Sequence, residues 1–269
     1  MSDVTPIERV IASPGSASVP AFPLDQPHYE ITITSRGQSL GHRLQKPTDA
    51  QLYDRESQLA VVSESVSDSE EAVRGGDDDE IANARLWDVT ATHVKGYRLP
   101  GEPKEAAQDW REVTDDLRLL IPAAHKSTAF RGMYQSAATV EENTEEGFLL
   151  GSSEWVIRQV YGHPDDPLFV VRHTLRAPTE KERREYRQKA TEIRFGKGQR
   201  KQTTKVLAKL KPNVELYDAL FVSIDGATVN GHSFVDNSQR RSFLELIDPI
   251  SKRQVITVFL KAFEAQLQD

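Results

Sequence analysis

His42-Arg43-Leu44-Gln45-Lys46-Pro47-Thr48-Asp49 returns later in the chain as His173-Thr174-Leu175-Arg176-Ala177-Pro178-Thr179-Glu180. The shared pattern is H-x-L-x-x-P-T-[DE], displaced by 131 positions. More matches follow in the same order. Leu86-Trp87-Asp88 answers to Leu216-Tyr217-Asp218, and Val94-Lys95-Gly96 to Ile224-Asp225-Gly226, both displaced by 130. Leu117-x-Leu119-Leu120-x-Pro122 answers to Leu244-x-Leu246-Ile247-x-Pro249, displaced by 127. Short loop insertions and deletions produce drift of this size, so the chain reads as a tandem duplication of a unit of roughly 110 residues.

Local pattern gives each unit its expected elements. Tyr29-Glu30-Ile31-Thr32-Ile33 alternates apolar and polar residues as a strand does, and a turn at Ser35-Arg36-Gly37 leads to a second strand ending near Leu44. In the second unit, Trp155–Tyr161 and Leu168–Leu175 flank the turn-forming stretch from Gly162 to Pro167. Thr48-x-x-Gln51 and Thr179-x-x-Glu182 are capping boxes, in which the threonine hydroxyl and the Gln or Glu side chain satisfy each other's orphan amides. The proline before each threonine sharpens the helix start.

A second helix is expected to carry Leu86, Thr90 and Val94, or Leu216, Leu220 and Ile224, and to end at Gly96 or Gly226. A last helix opens near Pro122 or Pro249, with Asp248 as cap and Pro249 as its first residue. Its apolar stripe is Ala129, Phe130, Met133, Tyr134 and Ala137 in one unit, and Val255, Phe259, Phe263 and Leu267 in the other. The expected fold class is therefore α+β: two mostly helical units, each opening with a small β-hairpin followed by about three helices. Residues 1–27 form an extended arm, 28–140 the first unit, 141–153 a linker and 154–269 the second unit.

Composition narrows the class. The chain has 269 residues, 38% hydrophobic and 28% charged, which suits two small domains with solvated surfaces. The absence of cysteine removes disulfides, thiolate zinc sites and cysteine nucleophiles together. Met1–Gln26 has no apolar core of a secretory signal, and the apolar run within Val255–Leu260 is far short of the ~20 residues a membrane span needs. The expected location is the cytoplasm of a host cell or a virion, with no membrane partner.

The largest difference between the units follows the capping-box helix. Glu64 to Glu80 contains Glu64, Asp68, Glu70, Glu71, Asp77, Asp78, Asp79 and Glu80 against the single base Arg74. Its counterpart, Arg194 to Lys211, contains Arg194, Lys197, Arg200, Lys201, Lys205, Lys209 and Lys211 and no acid. Two solvated loops would explain this. Opposite charge at equivalent places also suits docking, between copies or onto a partner protein. The candidate partner-binding residues are Glu70, Glu71, Asp77, Asp78, Asp79 and Glu80 on one side, and Arg194, Lys197, Arg200, Lys201 and Lys205 on the other.

Catalytic and cofactor motifs are missing. Gly196-Lys197-Gly198 lacks the spacing and the Gly-Lys-Ser/Thr of a phosphate loop. None of the seven histidines makes H-x-x-x-H or H-E-x-x-H. His42 and His173 are expected to be structural, bonding to backbone or to the nearby threonine. Asp77-Asp78-Asp79-Glu80 lacks a calcium-loop pattern, and no G-x-S-x-G elbow occurs. No catalytic residue, cofactor or metal is assigned, and the expected role is non-enzymatic. The alternative is a nucleic-acid-associated protein that holds phosphates through the basic 181–211 segment, although Tyr186 and Phe195 are its only aromatics and the whole chain carries net charge -7.

The repeated element Phe169-Val170-Val171-Arg172-His173-Thr174-Leu175-Arg176-Ala177-Pro178-Thr179-Glu180 resembles the strand and Pro-Thr helix start of bacteriophage tail assembly chaperones and related phage structural proteins. About 40 residues of each unit take part. The resemblance implies a structural or tail-assembly protein of a phage or phage-like particle, built for protein–protein contact and oligomer formation, with no catalytic residue to carry over. The duplication and the proline-containing arm depart from the small-chaperone pattern.

If the acidic and basic segments dock copies on one another, sedimentation at rising salt shows the oligomer dissociating, because exposed charge pairs weaken as the Debye length shrinks. An oligomer indifferent to salt removes that docking mode.

Overall fold

The computed structural model describes residues 19–56, 76–141, 154–163, 165–190, 192–195, 203–206 and 210–266. They fall into two compact units, one over Gln26–Gln135 and the other over Ser136–Asp269 with the stretch ending at Asp25.

In the first unit, β2 (His28–Ser35) and β3 (Gln38–Gln45) pair antiparallel from His28 opposite Gln45 to Ser35 opposite Gln38. A two-residue turn joins them. Arg36 at φ 49° and Gly37 at φ 74° supply the left-handed pair that matches the twist of a hairpin. The capping box then starts α1 (49–56): the Thr48 amide donates to Gln51 Oε1 at 2.8 Å, and the Gln51 amide to Thr48 Oγ1 at 3.3 Å. Helix α2 (Gly76–Thr90) runs without a break into β4 (Ala91–Lys95), which lies against β3, and the short β5 (Arg111–Glu112) completes the order β2-β3-β4-β5. Helices α3 (Asp115–Leu120) and α4 (Ala123–Met133) follow. α2 and α4 pack on each other, α2 also on β3 and α4 on β2. Ile31, Ile33, Leu44, Trp87, Leu117 and Phe130 are buried in this unit, each full burial contributing about 1.5–3 kcal/mol.

The second unit carries β6 (Ser136–Val140), β7 (Glu154–His163), β8 (Asp166–Arg176) and β11 (Phe221–Asp225) in the order β6-β7-β8-β11. The box Thr179–Glu182 opens α5 (Glu180–Ala190), with the Thr179 amide 2.8 Å from Glu182 Oε2. Helix α6 (Leu210–Leu220) again runs straight into a strand, β11. Helices α7 (Arg240–Leu246) and α8 (Pro249–Gln266) close the unit, and Asp248 caps α8 by accepting from the Ser251 amide at 2.8 Å. Two small additions complete it. A ribbon pairs β9 (Glu192–Phe195) with β10 (Thr203–Val206). Strand β1 (Phe22–Pro23) runs parallel to β12 (Ala227–Val229), which also pairs with β13 (His232–Ser233).

The expectation of a duplicated, mostly helical unit with a small hairpin is overturned. Each unit is α+β around a four-stranded antiparallel sheet. Val94 and Ile224, expected on helices, lie on β4 and β11, and Gly96 and Gly226 end strands rather than cap helices. Spacing of three or four residues between apolar positions continues across an uninterrupted helix-to-strand junction, which is why the period misled. The last helix of the first unit stops at Met133, and Ala137, expected on its stripe, sits on β6 in the second unit's sheet. Phe22, expected on an arm, stacks on Tyr161 with ring centroids 4.5 Å apart and meets Phe169 edge-on. The rest of the expected arm before residue 19, and residues 142–153 of the expected linker, lie outside the described residues.

Gly226 sets how closely β11 approaches β8. Its φ is 74°, and a Cβ there would lie 2.1 Å from the Val170 carbonyl oxygen. Gly37 has the same φ with open space around it. Gly226→Ala is therefore expected to cost about 3 kcal/mol or more and Gly37→Ala only about 1 kcal/mol. Urea unfolding midpoints check the order; equal losses at the two sites contradict the close approach.

Candidate functional site

A strand of a small sheet normally sends apolar side chains into the core, so a histidine there needs a partner for each ring nitrogen. His42 on β3 and His173 on β8 are both buried, opposite Ile31 and Ile157. Their partners are side chains rather than the backbone or threonine groups expected from sequence. Trp87 Nε1 on α2 lies 3.2 Å from His42 Nδ1, and Tyr217 Oη on α6 lies 2.6 Å from His173 Nδ1.

In the first unit the contacts continue outward. Tyr97 Oη is 3.2 Å from His42 Nε2 and 3.1 Å from His125 Nδ1, and His125 Nε2 is 2.9 Å from Ser35 Oγ. The direction of the whole chain follows from one fact of chemistry. An indole nitrogen only donates, so His42 Nδ1 accepts and the neutral ring carries its proton on Nε2. That proton goes to the Tyr97 oxygen. Tyr97 then donates to His125 Nδ1, and His125 presents Nε2–H to Ser35. Burial, with His125 adding to it, holds the His42 pKa down at about 3, and burial raises that of Tyr97. His125 is also lowered, by its partial burial and then by Arg36 nearby. All three stay neutral at pH 7, and the relay keeps one polarity.

The second unit has the same line of polar groups filled differently. His173 Nε2 donates to Gln159 Oε1 at 3.1 Å, and Gln159 Nε2 donates to Ser136 Oγ and Gln254 Oε1. Tyr161 Oη is 3.2 Å from Gln159 Oε1 and from Ser251 Oγ, and Ser251 donates to the capping Asp248 at 2.7 Å. Gln159, His173 and Ser251 are all buried. One arm of this network ends on the cap of α8, and the other at half-buried Ser136 and Gln254. The first unit's relay ends at half-buried His125 and Ser35, beside the exposed hairpin turn.

Each aromatic partner is also bound to a buried lysine. Lys126 Nζ sits 2.6 Å from Asp88 Oδ1 and 2.7 Å from the Arg118 carbonyl, over the Trp87 ring at 5.2 Å. Lys252 Nζ sits 2.7 Å from Asp218 Oδ1, over the Tyr217 ring at 5.8 Å. A buried ammonium needs such a carboxylate. Sequence matching found Asp88 and Asp218 but not the lysines, because it set Leu117 against Leu244. The buried faces of α3 and α7 instead set Leu117 and Ile121 against Phe243 and Ile247, one position earlier, and Lys126 then falls against Lys252. Tyr97, His125 and Ser35 were missed as well; the one available signal was a tyrosine after Gly96 where the second unit has Ala227.

Of the acidic candidates, Asp79 and Glu80 lie in the first turns of α2, where negative charge suits the helix dipole, and Asp79 also pairs with Arg55 at 3.5 Å. Asp77 and Asp78 precede them on the same helix backbone. Arg194 and Lys205 lie on β9 and β10, opposite Thr204 and Ile193. Glu70, Glu71, Lys197, Arg200 and Lys201 lie outside the described residues, as do the side chains of Asp77, Asp78, Arg194 and Lys205. Among the described residues no group of three His, Asp or Glu could hold a metal ion, and no helix is long and apolar enough to cross a membrane.

The buried histidines make stability depend on pH with a definite sign. Their folded pKa values of about 3 lie below the ordinary 6.5. The unfolded chain therefore takes up protons first, and the stabilisation is complete above pH 6.5 and is lost as pH falls toward 3. By pH 5 each histidine is expected to have cost about 2 kcal/mol. Urea midpoints at pH 7.5 and 5 measure this, and His42→Gln with His173→Gln, which cannot titrate, should flatten the slope. An unchanged slope in the double variant refutes the assignment.

No family model, curated protein or solved structure matches the chain.

Proposed function

We propose that this chain is a non-enzymatic structural or assembly protein, of the kind found in phage or phage-like particles, that acts by docking other proteins. The particle setting rests on the sequence resemblance alone. The observation that carries the docking role is a set of large apolar side chains exposed on two helices of the first unit. Ile81 and Val89 on α2 are 50% and 61% exposed, and Leu119 and Leu120 on α3 are 84% and 60% exposed. Lys126 ties Asp88 to the Arg118 carbonyl, so Val89 and Leu119 follow directly on two residues held by one ammonium. Large apolar side chains grouped on a surface mark contact sites more often than they arise by chance. Lys211 and Ala219 stand at the α6 positions that match Ile81 and Val89, so the second unit is not apolar there.

Two further points support a docking role over the other classes. His125 offers Ser35 a proton rather than a lone pair, so the one serine–histidine contact at the relay's outer end is poorly arranged to activate a nucleophile. On α5, Lys181, Arg183, Arg187 and Lys189 each pair with a carboxylate, of Glu185, Glu180, Glu264 and Glu215. Much of that helix's positive charge is thus matched internally, which weakens the case for phosphate binding through the 181–211 segment.

Val89→Asp with Leu119→Asp tests the surface. Both side chains are exposed, so the change in folding stability is expected within about 0.5 kcal/mol. Co-sedimentation with candidate particle components should fall by about tenfold or more, the loss of roughly 1.4 kcal/mol. Undiminished co-sedimentation sinks the apolar surface as the docking site.

A further inference from the structure

We propose that the outer edge of β2 pairs with the β2 edge of a second copy of this chain, joining two four-stranded sheets across a two-fold axis. This goes beyond the apolar surface above and stands independently of it.

The two-residue turn fixes which groups are available. In such a hairpin the closing pair, Ser35 and Gln38, bond to each other, so Tyr29, Ile31, Ile33 and Ser35 spend their backbone groups on β3. The backbone groups of Glu30 and Thr32 then point away from the sheet. The second unit shows what that edge accepts. Ile157 lies opposite His173 as Ile31 lies opposite His42, so β7 holds the place of β2. Strand β6 pairs antiparallel along the outside of β7, and the Glu141 amide donates to the Val156 carbonyl at 2.9 Å, the position that matches Glu30. Among the described residues, no strand pairs with the outside of β2.

Natural edges are blunted by shortness, proline, lysine or a bulge. The other edge strands of the two large sheets are short: β5 has two residues, β6 has five, and β11 has five with a register shift after Phe221. β2 has eight residues, pairs with β3 without a register shift, and contains neither proline nor lysine.

A second copy fits the edge because β2 is self-complementary. A two-fold axis through Ile31, perpendicular to the sheet, sets Glu30 opposite Thr32 of the other copy, so no like charges face each other. It also keeps Tyr29, Ile31 and Ile33 of both copies on one face. The contact uses the same edge on both molecules, and β6 already covers the matching edge of the second unit, so association stops at the dimer.

Sedimentation of the full chain over a range of concentrations should show the mass doubling, at high salt as at low. Thr32→Pro, which removes an outward N–H from an edge strand without touching the β3 ladder, should remain at single mass with unchanged far-ultraviolet dichroism. In the unaltered chain, the Thr32 amide should exchange with deuterium at least tenfold more slowly in the doubled form than in the single one. That measurement decides alone if the proline variant does not fold. A chain of single mass at every concentration, a dimer that survives Thr32→Pro, or a Thr32 amide equally protected in the single form overturns the proposal. Val89→Asp with Leu119→Asp should leave the dimer intact, which separates this edge from the apolar surface.

Discussion

Each unit is organised around one demand: a neutral imidazole buried on the second strand of the hairpin must be satisfied at both nitrogens. Trp87 meets it for His42 and Tyr217 for His173, each from the helix that runs directly into the third strand. That bond sets more than a distance. It fixes the rotation of α2 or α6 about its axis, because the aromatic ring must face the sheet. Asp88 or Asp218, the next residue, is then placed to meet a buried lysine from the unit's last helix. Sheet, first core helix and last helix are thus joined through one histidine, one aromatic ring and one lysine. Removing a single member leaves a polar group buried without its partner, and such a loss exceeds the modest gain each bond provides when intact.

Much of this was legible in the sequence, in pieces. The match H-x-L-x-x-P-T-[DE] marks the buried histidine, a core leucine and the helix cap, and both capping boxes form with the expected bonds. Leu-Trp-Asp and Leu-Tyr-Asp mark the aromatic donor and the acid. What these residues do to one another was not legible, because the bond between His42 and Trp87 spans 45 positions and periodicity reports only on near neighbours. The same limit produced the error in fold. A helix that enters a strand with no turn residue between Thr90 and Ala91 leaves no punctuation, and its apolar spacing carries Val94 along with it. The third strand was therefore read as helix, and a four-stranded sheet as a mere hairpin. Edge strands were harder still: Ser136–Val140 contains four small or polar residues before its first bulky one, and only its pairing with β7 identifies it.

The two units keep the histidine and change what lies beyond it. In the second, glutamine, tyrosine and serine continue the network into the cap of α8, with a branch from Gln159 to half-buried Ser136 and Gln254. In the first, Tyr97 and His125 carry it outward to Ser35 at the hairpin turn. A network that reaches the surface links the exposed turn between β2 and β3 to the core ring that orients α2.

The same contrast holds for the sheets. β7 gives its outer edge to β6 and keeps no long open strand, whereas β2 presents eight residues in regular register. The exposed Ile81, Val89, Leu119 and Leu120, the relay to the hairpin turn and the open edge of β2 lie on the first unit, while Val235 is an exposed apolar side chain of the second. At the α6 positions that match Ile81 and Val89 the second unit has lysine and alanine, and β6 covers its matching strand edge. An enzyme concentrates its polar groups in one concave place, aimed at a reacting atom. Here the distinctive groups of the first unit lie on a strand edge, a turn and two helix surfaces. The second unit carries the additional β1–β12–β13 strands and the β9–β10 ribbon. That spread of groups over separate surfaces is why docking, rather than catalysis, is the function we propose.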